Sequence, residues 1–199
     1  MPKRLPDQYK PSPIVIALRD PRDLPLALSS PHRTIFLLGG TLTGLPQTVA
    51  AARSRGRDVF VHADLIQGLG RDAQAVHWLA QVVKPTGILS TRASTVLQAE
   101  HLGLVSVLRI FLVDSQALRT GLSVVREIQP DFLEVMPGVI PGAIRELVQQ
   151  APCPVIAGGL CKTVAHYRAA LEAGAVAIST SCRDLWQYRG ESEVVTASG

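Results

Sequence analysis

Two carboxylates and two arginines interrupt or end apolar runs in this chain: Asp64, Glu134, Arg92 and Arg109. Carboxylates in such places can accept hydrogen bonds from a polyol, hold a divalent cation, or serve as general acid and base. The plainer alternative is structural, with each carboxylate capping a helix or pairing with Arg92 or Arg109. An arginine inside or just past an apolar run is costly unless paired, so both arginines need an anion or a carboxylate beside them. His62, in His62-Ala-Asp-Leu-Ile-Gln-Gly68, is either a satisfied core histidine or a supporting ligand.

Gly158-Gly159 and Ser179-Thr180-Ser181 form a second group. Paired glycines let backbone N–H groups approach an anion closely, and the serine run opens a short helical stretch, Cys182–Gln187. Read alone, the two segments are a tight turn and a capping run. Other chemistries find no support. Lys84 precedes an apolar run and Lys162 lies beyond Gly-Gly, so no strand-borne lysine is placed to form a Schiff base. His32, His77, His101 and His166 fall on or beside helical segments, and no nucleophilic triad emerges. Cys153, Cys161 and Cys182 are odd in number and form no CxxC pair, which implies neither a disulfide framework nor a zinc site.

The elements that must position these residues alternate in type. Candidate strands are Ile14–Leu18, Thr34–Leu38, Asp58–His62, Gly87–Ser90, Val105–Leu112, Asp131–Val135, Pro154–Ala157 and Val176–Thr180, each followed by a helical segment. After Asp72, a candidate cap, Val76, Leu79, Ala80 and Val83 recur at helical spacing. Asp114 and Thr163 are placed to cap Gln116–Ile128 and Val164–Ala173, and Gly174 to end the latter. Pro21, Pro25 and Pro31 leave only a short helix at Leu24–Ser30. Eight such units predict a compact α/β fold, a (β/α)8 TIM-type barrel with parallel strands. An open doubly wound sheet is the alternative, but no Gly-x-Gly-x-x-Gly follows the first strand. Residues 14–188 would form this single domain, preceded by an irregular arm (1–13) and followed by a tail (189–199). In such a barrel Gly158-Gly159 and Ser179-Thr180-Ser181 sit where phosphate sites are built, and Asp64 and Glu134 share one rim.

Composition narrows the class. With 199 residues, 47% apolar and 18% charged, the chain folds as one domain and is not disordered. No run approaches the ~18 apolar residues of a membrane span and no secretory signal opens the chain, so a cytoplasmic protein without a membrane partner is expected. Of 20 basic residues only four are lysine, leaving 16 arginines, and the net charge is +4. Arginine suits phosphate contacts, but there is no dense basic run, and Phe36, Phe60, Phe111 and Phe132 all lie in runs expected to be buried.

The rim segments resemble the glycerol uptake operon antiterminator regulatory protein family. The matching stretches are Val61-His-Ala-Asp-Leu-Ile-Gln-Gly68, Pro85-Thr-Gly-Ile-Leu-Ser-Thr-Arg92, Arg109-Ile-Phe-Leu-Val-Asp114, Glu134-Val-Met-Pro-Gly-Val-Ile-Pro141, Ala157-Gly-Gly-Leu160 and Ala175-Val-Ala-Ile-Ser-Thr-Ser181 with Leu185-Trp186. The resemblance implies a non-enzymatic barrel that senses glycerol 3-phosphate and, in that state, binds the leader mRNA of a glycerol-utilisation operon so that transcription passes a terminator. Joined to the residues, it implies that the phosphate docks on Gly158, Gly159, Ser179, Thr180 and Ser181. Asp64 and Glu134 would receive hydroxyls, Arg92 or Arg109 would balance charge, His62 would support them, and arginines around the rim loops would grip the RNA. No cofactor or metal is implied beyond this effector, a divalent cation having no support of its own, and homo-oligomerisation is left open. The Pro-rich first unit, Arg53, Arg55 and Arg57, and the tail after Arg189 follow no family pattern. The rival reading is a lyase, isomerase or phosphodiesterase acting on a small phosphate ester, with Asp64, Glu134 and His62 as acid, base and orienting group.

Overall fold

Parallel strands covered on both faces read as continuous apolar runs, and all eight expected runs are strands in the computed structural model, which describes residues 12–190. Most of the expected arm and tail therefore lies outside the described residues. The strands are β1 (Ile14–Leu18), β2 (Thr34–Leu37), β3 (Asp58–His62), β4 (Gly87–Ser90), β5 (Val105–Phe111), β6 (Phe132–Met136), β7 (Val155–Gly158) and β8 (Ala177–Thr180). They pair in sequence order, all parallel, and β8 returns to β1 through Ile14↔Ile178, Val15↔Ser179 and Ile16↔Thr180, closing a (β/α)8 barrel.

The helices are α1 (Leu24–Ser29), α2 (Leu45–Arg53), α3 (Ala73–Trp78), α4 (Ala93–His101), α5 (Ser115–Ile128), α6 (Pro141–Gln150), α7 (Val164–Glu172) and α8 (Arg183–Trp186). Their starts follow the expected capping chemistry. Asp72 accepts the Ala75 N–H at 2.9 Å, Asp114 the Ala117 N–H at 2.7 Å and Thr163 the His166 N–H at 3.2 Å. A π-type turn, Leu79–Val83, continues α3 and keeps Leu79 and Val83 buried. Gly174 ends the α7 region at φ 99°. The prolines hold α1 to six residues, and α8 has only four.

Side chains alternate across each strand, so every second residue enters the barrel. One apolar residue from each strand fills the middle of the interior: Val15, Phe36, Phe60, Leu89, Val107, Phe132, Ile156 and Ala177. The other strand faces pack against the helices in two further apolar clusters. Phe111 departs from the expected burial. It stands at the C-terminal end of β5, above the filled layers, and is 53% exposed. Among the described residues no helix is long and apolar enough to cross a membrane.

Because Phe36 is fully enclosed in the middle layer and meets Phe60 with ring centroids 5.3 Å apart, Phe36→Ala should cost about 3–5 kcal/mol of unfolding free energy. Urea titration measures this; a loss below about 1 kcal/mol would show that the barrel collapses onto the vacated space.

Candidate functional site

Two residues beyond the apolar layer, toward the C-terminal ends of the strands, the same alternation brings Ala17, Leu38, His62, Thr91, Arg109, Glu134, Gly158 and Ser179 inward. The interior changes there from apolar to polar. Arg109 and Glu134 are register partners on β5 and β6, and the Arg109 Nε donates to Glu134 Oε2 at 2.5 Å. The Ser179 hydroxyl donates to the other oxygen, Oε1. Glu134 is wholly buried and Arg109 nearly so, at 6% exposed. Gly158 makes the space: a Cβ there would stand 2.5 Å from Glu134 Oε1 and 2.7 Å from the Ser179 hydroxyl oxygen.

Asp64 and Arg92 form a second pair at the rim of β3 and β4. Arg92 donates from Nε to Asp64 at 2.7 Å and from Nη1 to the Arg71 carbonyl at 2.7 Å. Asp64 also accepts the Thr91 N–H at 2.8 Å and the Ser90 hydroxyl at 2.9 Å. Burial opposes its ionisation, but the Thr91 amide, Arg92 and Ser90 outweigh this and hold its pKa below the usual carboxylate value. Both carboxylates make the pairs expected of a structural role, Asp64 with Arg92 and Glu134 with Arg109.

His62 lies between the pairs. It is 2% exposed, its Nδ1 has no hydrogen-bond partner, and the nearest Asp64 oxygen is 3.7 Å away. Burial first, then the Arg109 charge, pushes its pKa down to about 4, so the ring is neutral at pH 7.

Above this layer a cavity of about 280 Å³ opens at the C-terminal mouth. Arg109, Gly159, Ser179, Thr180 and Ser181 line it, whereas Asp64, Arg92, His62, Glu134 and Gly158 are not part of its lining. Gly159 and Leu160 have φ of 71° and 61°, and Leu160 is a bulky residue in the left-handed region, a strained conformation in the β7–α7 loop that lines the cavity. Gly138 braces that loop from below, its N–H donating to Gly158 O at 2.5 Å and Gly159 O at 3.1 Å. The serine run splits by strand alternation. Ser179 and Ser181 turn inward, while the Thr180 hydroxyl donates to Cys161 O at 2.6 Å and accepts the Cys182 N–H at 3.0 Å. With four residues, α8 contributes little dipole, so charge at the mouth comes from side chains.

Arg19 and Lys162, both exposed, join Arg109 around the cavity. Sequence reasoning left Lys162 without a binding role because it weighed lysines only as Schiff-base donors. Arg19 follows directly on β1, and its inward phase, four residues past Val15, is the signal that points to it. Cys161 and Cys182 also line the cavity. Burial, with the Glu134 charge, pushes the Cys161 thiol up to about 11, so it is no nucleophile at neutral pH. Among the described residues no group of three His, Cys, Asp or Glu side chains could hold a metal ion.

Comparison with known proteins agrees with the barrel fold. A family model for glycerol-3-phosphate responsive antiterminators matches residues 14–186. The crystal structure of a glycerol uptake operon antiterminator regulatory protein from Listeria monocytogenes superposes with a TM-score of 0.85 at 32% identity, covering 92% of this chain and 97% of that one. A glycerol uptake operon antiterminator-related protein from Thermotoga maritima gives 0.79 at 30% identity, covering 88% and 98%. The uncharacterized protein YgcP of Escherichia coli K12 is 31% identical over 175 residues, 88% of this chain and 92% of that protein.

Two predictions follow from the buried layer. Glu134→Ala leaves Arg109 unpaired in the barrel and should cost about 3–5 kcal/mol of stability, measured by urea unfolding; a cost under 1 kcal/mol would mean that water or another group already solvates Arg109. For His62 the folded pKa lies below the unfolded value of about 6.5, so the unfolded chain binds more protons between roughly pH 6.5 and pH 4 and stability falls as pH falls through that window. The wild type should lose about 2 kcal/mol from this group between pH 7 and pH 5. His62→Gln should lack that share, and an unchanged slope in the variant would assign the pH dependence to other groups.

Proposed function

The chain belongs to the glycerol-3-phosphate responsive antiterminator family, and from that premise we propose that it binds glycerol 3-phosphate in the mouth cavity and, so loaded, binds the leader mRNA of a glycerol-utilisation operon in the cytoplasm. The family is one of regulators rather than enzymes. The observation that carries the ligand assignment is the composition and size of the cavity. At about 280 Å³ it falls below the ~300–1,000 Å³ of sites for drug-sized ligands, which suits a three-carbon phosphate ester better than a nucleotide. Arg109 supplies a guanidinium from below, Arg19 and Lys162 supply charge at the opening, and the Gly159–Leu160 backbone and Ser181 offer short-range contacts to phosphate oxygens.

In this reading Glu134 and Ser179 work indirectly. They fix the Arg109 guanidinium, which a flexible, unpaired arginine would lose entropy to place. Asp64 holds Arg92 in the same manner at the neighbouring rim, where a glycerol hydroxyl or a bridging water would come within its reach. Ala17 and Leu38 offer an apolar wall for the ligand's carbon backbone. In this reading RNA binds outside the cavity, so effector and RNA are coupled through the protein.

Calorimetric titration tests the ligand. Glycerol 3-phosphate should bind and glycerol should not, and Lys162→Ala should weaken binding roughly tenfold or more, as expected for loss of one charge-assisted contact. Equal affinity for glycerol and its phosphate would overturn the assignment, and turnover of the ester would restore the enzyme reading. Coupling is read separately. Leader RNA should raise the affinity for glycerol 3-phosphate by the same factor as the ligand raises RNA affinity, and identical ligand affinities with and without RNA would remove the gating role.

A further inference from the structure

Positive charge is distributed unevenly at the other end of the barrel, where each helix returns to the next strand. The loops entering β2, β3 and β4 are Pro31-His-Arg33, Ser54-Arg-Gly-Arg57 and Lys84-Pro-Thr86, with three arginines, one lysine and no acid. The loops entering β5, β6, β7 and β8 (102–104, 129–131, 151–154 and 173–176) hold no lysine or arginine. Arg57 is part of the framework of the basic corner, donating to the carbonyls of Leu28, Ser30 and His32 at 2.5–2.8 Å. Arg33 is 66% exposed while pairing with Asp58 at 2.7 Å, and Arg55 is exposed with no ion pair among the described residues.

Beside this corner lies a groove of about 310 Å³ lined by Pro13, Pro31, His32, Tyr167, Tyr188 and Arg189. The tyrosine rings meet edge to face, centroids 5.7 Å apart at 67°. Aromatic faces next to a cationic track are the two ingredients of sequence-tolerant single-strand binding: bases stack on the rings and the backbone follows the charge. The opposite end of the barrel is less suited to this. There Arg22, Arg183, Arg92 and Arg109 pair with Asp20, Asp23, Asp64 and Glu134, and Arg19 and Lys162 flank the cavity assigned to the effector.

The groove is also joined to the effector cavity by a single short segment. Ser181 and Cys182 line the cavity and Tyr188 and Arg189 line the groove. Between them Trp186 is buried, its indole N–H donating to Thr180 O at 2.8 Å and its carbonyl accepting the Ser30 hydroxyl at 2.5 Å. The same Ser30 hydroxyl accepts the His32 N–H at 3.1 Å.

We propose that single-stranded RNA binds this N-terminal corner of the barrel, its bases on Tyr167 and Tyr188 and its phosphates along Arg189, Arg33, Arg55 and Lys84. The proposal rests on the antiterminator reading and adds the location. Its test measures binding of fluorescently labelled leader RNA to the full chain with saturating glycerol 3-phosphate, across a range of salt. Arg55→Glu/Arg189→Glu should raise Kd at least tenfold and reduce the steepness of the salt dependence by about 2. Arg119→Glu/Arg145→Glu, the same charge change on exposed positions of α5 and α6, should change Kd less than twofold. Tyr188→Ser should weaken binding about fivefold or more while leaving the salt dependence unaltered, since it removes stacking and not charge. Affinity for glycerol 3-phosphate without RNA should be unchanged in all three, which also verifies that they fold.

If the Arg55/Arg189 pair binds RNA as the wild type does, or if both charge-reversed pairs lose equally, the location is wrong while the antiterminator reading stands. If the wild type does not bind leader RNA at all, the antiterminator reading fails and the location fails with it.

Discussion

Everything at the mouth of this barrel depends on placing a full positive charge where almost no water reaches it. Arg109 lies inside the closed sheet, and the desolvation of its guanidinium is tolerable only because Glu134 stands opposite it on the adjacent strand. Glu134 in turn needs a second donor, which Ser179 provides from β8. Gly158 must lack a side chain for the three to meet. Strands β5, β6, β7 and β8 are thus tied to one electrostatic arrangement. A hydrophobic replacement of the whole set could hold the barrel as firmly, so what the arrangement secures is the position of one arginine rather than extra stability.

That constraint divides the interior into two regimes. Below it, eight apolar side chains fill the barrel. Above it, polar groups are already paired with one another and present a preorganised surface to the cavity. His62 shows the influence of the same charge. Buried near Arg109, it is held neutral at physiological pH, so it adds no second cation to the buried polar layer. Preorganisation of this kind lowers the entropic cost of binding a small ligand.

Much of this was legible in the residues, and the parts that were not share a cause. All eight strands were readable because parallel strands covered on both faces leave uninterrupted apolar runs, and the caps at Asp72, Asp114 and Thr163 were readable because capping is local chemistry. Strand limits differ from expectation by one residue at several ends; β7 begins at Val155, for example, since Pro154 has no N–H for the ladder. The burial expected of Phe111 failed because an apolar run does not reveal where the filled layers stop. Ser179-Thr180-Ser181 read as one unit, yet alternation turns Thr180 to the helix side, where its hydroxyl bonds to Cys161 O. Lys162 carries no local signal of a binding role, because only the path of the β7–α7 loop brings it to the cavity.

By itself the sequence determined the βα repeat, the parallel barrel and the segments whose ends would carry polar groups. These follow from hydrophobic periodicity and turn chemistry, which act over a few neighbouring residues. Only the tertiary structure decided which polar groups meet: that Glu134 takes Arg109 and Ser179, that Asp64 takes Arg92, and that Arg19 and Lys162 face one cavity. Those partners lie on different strands, and their meeting is set by barrel closure and register. The same closure collects Arg33, Arg55 and Lys84, from loops scattered over fifty residues, at one corner of the opposite end.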